Sequence, residues 1–195
     1  MECTGIVDFI LSAGQLKITK RKGWVKAGIR NPESVADHAY FVALLSLIAC
    51  KQGKIDAGKA MALALVHDLP EAIMGDIIVE GKNREMGRKK KEMLEKKAMA
   101  ELSGKLGSRM KKSLLKLHEE YGKGKSAEAR LVKDIDIIEM LAQALVYERV
   151  TGKSLNGFFS NSRKRLRTDF GKRMFAELAG RRKPGKRKSE QNANQ

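Results

Sequence analysis

The stretch "GKAMALALVHDLPEAIMGD", residues 58–76, decides the fold. A run of small apolar helix formers leads straight into His67 and Asp68, and Glu71 and Asp76 follow within eight residues. A carboxylate at the end of a buried helix costs several kcal/mol unless a partner satisfies it. A metal ion fits that need. Pro70 donates no backbone N–H and crowds the preceding turn, so the helix is expected to kink or end around Asp68. Neighbours in a regular helix point ~100° apart, and His67 and Asp68 converge on one ion only where the helix gives way.

Working outward, helix dominates. Only 3 prolines interrupt 195 residues that are 42% hydrophobic, and Ala, Leu, Lys, Met and Glu prevail. One domain of an almost wholly α-helical protein is expected, with residues 1–179 as its body. "GIVDFILSAGQL", residues 5–16, reads as a first helix, and the basic connection after it, with the single tryptophan, Trp24, as an ordered loop. Pro32 suits a helix's first turn, and Ser34 with Asp37 three residues on resembles a capping box opening the next helix. There His38, Val42, Leu45 and Ala49 form an inward stripe. Two amphipathic helices rich in Lys and Glu follow, divided near Gly104 to Gly107 and read as solvated cover, with His118 a bystander. "SAEARLVKDIDIIEMLAQALVYERV", from residue 126, is the most apolar long helix, yet it carries Asp134 and Asp136. A last helix is expected over about residues 154–180, and residues 180–195 read as a disordered basic tail.

Composition excludes some classes. No apolar stretch reaches the ~20 residues a membrane span requires, so a soluble, cytoplasmic protein is expected. Cys3 and Cys50 lack metal-type spacing, which argues against a zinc knuckle. The net charge is +17, and the last sixteen residues, with six basic residues and one acidic, carry +5 of it. Such a surface attracts phosphate, either on a small nucleotide or along a nucleic-acid backbone, and the tail offers contact to the latter.

His38, the pair His67 and Asp68, and an aspartate of the apolar helix offer imidazole nitrogen and carboxylate oxygen without thiolate. That donor set suits one divalent transition ion, Co, Mn, Ni, Fe or Zn. Four such ligands on an octahedral ion would leave two positions for water and a substrate oxygen, a hydrolase's arrangement. Helical periodicity leaves Asp134 and Asp136 both open, with Asp134 nearer the stripe of Leu131, Ile135 and Ile138.

In order, Arg21 ahead of "GW", "NPESVADH", "ALVHDLPEAIMGD" and "SAEARLVKDIDIIEM" resemble the HD-domain phosphohydrolases, specifically their 5′-deoxynucleotidases, over about residues 5–150. The resemblance implies an all-α HD-domain helical bundle around a central metal site. It assigns the metal to His38, His67, Asp68 and Asp136, the last because the family places an Asp three residues before Glu-Met. It further implies that Glu71 orients or deprotonates the attacking water, and that Asp76 serves the leaving 5′ oxygen or the sugar. Arg21 would grip the phosphate, and Trp24 would pack against deoxyribose or simply cover the core. The implied substrate is a 5′-deoxyribonucleoside monophosphate, cleaved to deoxynucleoside and phosphate by a homodimer. The alternatives are an HD hydrolase of a triphosphate, cyclic dinucleotide or alarmone, or a nucleic-acid-binding protein that uses the HD fold as scaffold.

Overall fold

The structure, a computed structural model, describes residues 3–50, 55–79 and 84–182. Ten α-helices and two short 3-10 turns account for the regular structure of these residues. Helix α1 (Cys3–Ala13) tightens into a 3-10 turn over Gly14–Lys17, where one continuous helix was expected. The expected loop after it contains a short helix, α2 (Lys22–Lys26), which buries Trp24. A single antiparallel bridge from Lys20 to Ser34 closes this segment.

The capping box forms as read. Asp37 N donates to Ser34 Oγ at 3.1 Å and Ser34 N to Asp37 Oδ2 at 2.8 Å, opening α3 (Val35–Cys50). Pro32 lies just ahead of that cap and not inside the first turn. Helix α4 (Ala57–Val66) starts on Asp56, whose side chain accepts from Lys59 N. It stops at Val66, and Pro70 opens the next short helix, α5 (Glu71–Met74). The interruption expected from Pro70 is therefore present. Helices α6 (Arg84–Gly104) and α7 (Ser108–Lys123) are divided at the glycines as expected. Helix α8 (Ala127–Thr151), capped by Ser126, crosses the middle of the molecule.

Past Gly152 the structure departs from the sequence reading. The one helix expected there is three pieces: α9 (Asn156–Ser160), a 3-10 turn (Arg163–Arg165) and α10 (Asp169–Gly180). The break occurs where Asp134 of α8 accepts from Arg167 N and Thr168 N at 3.0 and 2.7 Å, holding that chain extended. The proposed tail boundary also shifts. Arg182 is docked, donating to Glu148 Oε1 at 2.6 Å and lying 4.2 Å over the Phe159 ring. The rest of the expected tail, residues 183–195, lies outside the described residues.

Three apolar clusters position the site. Val42, Ala60, Leu63, Val132 and Ile135 lock α3, α4 and α8 together. Trp24, Ile138, Leu141, Leu155 and Phe159 hold the second half of α8. Leu16, Val66, Leu69, Met99 and Leu102 fill the space beneath the end of α4. Each fully buried Leu or Ile contributes about 1.5–3 kcal/mol. Among the described residues no helix is long and apolar enough to cross a membrane.

Candidate metal centre

Because α4 ends at Val66, the carbonyls of its last turn lack helical partners. Ala64 O takes one from outside the backbone ladder: it lies 2.6 Å from His67 Nδ1. That bond places the N–H on Nδ1 and aims the lone pair of Nε2 inward. His38, fully buried on α3, lies 2.5 Å through Nδ1 from Glu139 Oε2 on α8. Its Nε2 lies 3.3 Å from His67 Nε2, 3.2 Å from Asp136 Oδ1 and 3.7 Å from Asp68 Oδ2. Asp68 Oδ2 is also 3.1 Å from His67 Nε2. Asp136 and Glu139 stand three residues apart on one face of α8, so a single helix grips both nitrogens of His38.

Two imidazole nitrogens thus face each other among carboxylate oxygens, which calls for a positive charge between them. Without a metal a proton answers: burial would lower the His38 pKa, but the Asp136 and Glu139 carboxylates outweigh it and lift it to about 10. Burial would raise both Asp68 and Asp136, yet the histidines hold both carboxyls below the usual range. His38, His67 and Asp68 offer ligand atoms within 4.8 Å of one another, a spacing that could hold a metal ion. The donors present suit a divalent metal, whose binding would displace that proton.

The structure separates the two aspartates that periodicity could not. Asp134 is 1% exposed and fully engaged with Arg167 and Thr168, whereas Asp136 is the one beside His38. Tyr121 steadies this side of the site: its hydroxyl donates to Asp136 Oδ2 at 3.4 Å and its ring lies 5.3 Å from that of His67.

Across the site, Arg21 Nη1 lies 3.7 Å from Glu33 Oε1, beyond hydrogen-bond reach. Trp24 takes the second of the two places the sequence left open for it, the core. It is 1% exposed, stacked on Phe158 at 4.3 Å with Tyr147 at its edge, and its Nε1 donates to Glu33 Oε1 at 2.8 Å. No face of the indole is left for a sugar; it braces the carboxylate behind Arg21. Asp76 Oδ2 accepts from Lys22 N at 2.7 Å, tying the chain after α5 to the segment of Arg21. Glu71 is buried, and burial together with the charges of Asp68 and Asp76 pushes its pKa up to about 9. Its Oε1 is 3.3 Å from Lys91 Nζ.

Glu33, Glu139, Tyr121 and Lys91 escaped the sequence reading. Glu139 carried a signal, standing three residues after Asp136 on the most apolar helix. Lys91 carried one too, because it shares the face of Glu95, Ala98 and Leu102 on a helix otherwise read as solvated. Glu33 and Tyr121 reach the site through tertiary packing alone. His118 is half-buried on α7 and stands outside the two groups of described residues spaced to hold a metal ion, His38, His67 and Asp68, and Glu33, His38 and Glu139.

An all-helical bundle around a buried histidine and carboxylate centre defines the class: a scaffold able to bind a metal. A family model described as HD domain matches residues 13–178, and the chain belongs to that family. It is 39% identical over 148 residues to 5′-deoxynucleotidase HDDC2 of Danio rerio, covering 76% of this chain and 72% of that protein. The protein of the same name in Dictyostelium discoideum is 35% identical over 189 residues, 91% of this chain and 98% of that one. Among solved structures, a conserved hypothetical protein from Pyrococcus furiosus has a TM-score of 0.74 at 34% identity, covering 89% of this chain and 99% of that one.

Proposed function

We infer that this HD-domain protein is a metal-dependent 5′-deoxynucleotidase, hydrolysing 5′-deoxyribonucleoside monophosphates to deoxynucleoside and phosphate. Its relatives' named activity supports the reaction. One observation carries the reading at the site. Among the described residues, two buried side-chain polar atoms lack a hydrogen-bond partner, Arg21 Nη1 and Glu71 Oε2. A buried donor and a buried acceptor left open on residues around one centre cost about 1–3 kcal/mol each and mark where a ligand completes the bonding.

His38, His67, Asp68 and Asp136 would hold the metal, for which Co, Mn, Ni, Fe and Zn all suit the donor set. Bound there, a divalent ion supplies Lewis acidity toward water and phosphate oxygen and favours the ionised form of Glu71. The side chains do the rest. Arg21 receives a phosphate oxygen on Nη1, backed by Glu33, in a charge-assisted hydrogen bond. Glu71 accepts a hydrogen bond from the attacking water on Oε2 and takes its proton as the new P–O bond forms. Asp76 serves the leaving 5′ oxygen or the sugar. Because Trp24 is sealed in the core, selection of deoxyribose falls to other residues. The homodimer that the resemblance implies belongs to this reading.

The test is phosphate release from a panel of 5′-deoxy- and 5′-ribonucleoside monophosphates, with metal-stripped protein reloaded with Mn, Co or Zn. Metal-dependent turnover of the deoxy forms, absent in Asp68→Ala, is expected. Folded protein inactive with every metal would overturn the monophosphatase reading.

A further inference from the structure

Lys91 belongs to α6, whose basic outer face is otherwise solvated cover. Packing turns it inward: Ala98, Met99 and Leu102, on the same side of the helix, are buried. Met99 and Leu102 join the cluster of Leu69 and Ala72, which flank Pro70 and Glu71. The Lys91 side chain is 24% exposed, and its Nζ lies 3.3 Å from Glu71 Oε1 and 3.7 Å from Glu95 Oε1.

We propose that Lys91 is the positioning residue of the reaction, holding Glu71 by Oε1 so that Oε2 alone is presented to the attacking water. This rests on the nucleotidase reading above and deepens it. A carboxylate has two equivalent oxygens, and a base that swings between them loses the geometry on which proton transfer depends. In Glu71 the two are made unequal: Oε1 is engaged by an ammonium, while Oε2 is buried without a partner. The ammonium also answers a local excess of negative charge, since Asp68 and Asp76 both act on the Glu71 carboxyl. A direct grip on the substrate phosphate by Lys91 is disfavoured, because two carboxylates already take its charge while Arg21 holds an open donor. Glu95 lies one turn further along α6 and keeps the ammonium from swinging outward.

The experiment compares the metal-loaded parent protein with Lys91→Met, Lys91→Arg, Glu71→Gln and the double variant Lys91→Met/Glu71→Gln. Phosphate release from a 5′-deoxynucleoside monophosphate is measured together with bound metal and melting temperature. Lys91→Met is expected to lower kcat by about 10- to 100-fold, the usual range for groups that orient a site residue, with KM and metal content within about twofold of the parent. Lys91→Arg is expected to recover most of the loss, because it keeps charge and reach. In the Glu71→Gln background the lysine substitution should add less than about twofold, since its target is gone.

A Lys91→Met protein with parental kcat would overturn the proposal. So would a loss confined to KM, which would place Lys91 on the substrate, or losses that simply multiply in the double variant. An inactive parent would sink the nucleotidase reading and this one with it, whereas an active parent with an unaffected Lys91→Met sinks this one alone. Should Lys91→Met fail to fold, Lys91→Arg and Lys91→Gln decide: activity retained by Arg and lost by Gln at equal metal content supports the positioning role, and equal activity in both refutes it.

Discussion

Asp134 and Asp136 are two residues apart on one helix and offer a sharp comparison. Asp134 accepts from Arg167 N at 3.0 Å, Thr168 N at 2.7 Å and Thr168 Oγ1 at 2.7 Å. Thr168 in turn caps α10 by accepting from Gly171 N at 3.0 Å. Asp134→Ala takes the acceptor from two partly buried backbone amides at about 1–3 kcal/mol each, while the threonine hydroxyl can rotate to another partner. A total of about 2–6 kcal/mol is expected. For a chain of this length each kcal/mol moves Tm by about 2–4 °C, so Tm should fall by about 4–24 °C. Bound metal and kcat at 20 °C, measured on the folded protein, should stay within about twofold of the parent, because Asp134 touches neither histidine. Asp136→Ala should show the reverse, losing metal and turnover while the metal-free protein melts within roughly 5 °C of the parent. Calorimetry, metal analysis and phosphate release read the two variants side by side. An Asp134→Ala protein that melts normally but binds no metal would refute the assignment, as would an Asp136→Ala protein that keeps its metal.

Arg21→Ala should lower kcat/KM by about 10- to 100-fold, through one lost charge-assisted hydrogen bond, and leave metal content unchanged; steady-state kinetics at saturating metal checks this. Trp24→Phe removes the donor that braces Glu33 and is expected to cost about 1–3 kcal/mol of stability without changing the deoxy-to-ribo activity ratio; a changed ratio would return the indole to the sugar. Glu148 predicts a pH dependence. The hydrogen bond from Arg182 holds its carboxyl below the ordinary 4.5, so the bond's contribution is present above that pH and lost as pH falls through the depressed folded value. The Tm difference between the parent and Arg182→Gln should therefore be full at pH 7 and shrink on acidification below 4.5. A difference that did not shrink with acidification would count against the Arg182–Glu148 ion pair.

Local rules sufficed for much of this molecule. The helical composition, the Ser34–Asp37 capping box, the Pro70 interruption and the glycine break between α6 and α7 all depend on neighbours within a few residues, and each stands in the structure. The interruption also creates the site, because a helix that stops at Val66 leaves Ala64 O free to orient His67. Four ordered motifs were enough to name the family that the matched domain shows.

Contacts between residues far apart in the chain decided the rest. Periodicity placed Asp134 on the apolar stripe, and it is indeed buried; what periodicity could not tell is that the buried partner is the chain at Arg167 and Thr168, 33 and 34 residues on. The same contact breaks a C-terminal helix that reads as continuous. Trp24, one aromatic among basic residues, could face a sugar or a core, and only the placement of Phe158 and Tyr147 closed the first option. Lys91, like any lysine in a basic helix, looked solvated, but Met99 and Leu102 of the same helix pack with Leu69 and Ala72, which brings the Lys91 ammonium to Glu71. Sequence by itself determined the helical class, the helix ends marked by a capping box, a proline or a glycine, and the chemistry of the candidate metal ligands, because those follow from backbone geometry and side-chain type. Which carboxylate faces the histidines, and which cation faces Glu71, were set by tertiary structure, because burial and charge partners are properties of the packed chain.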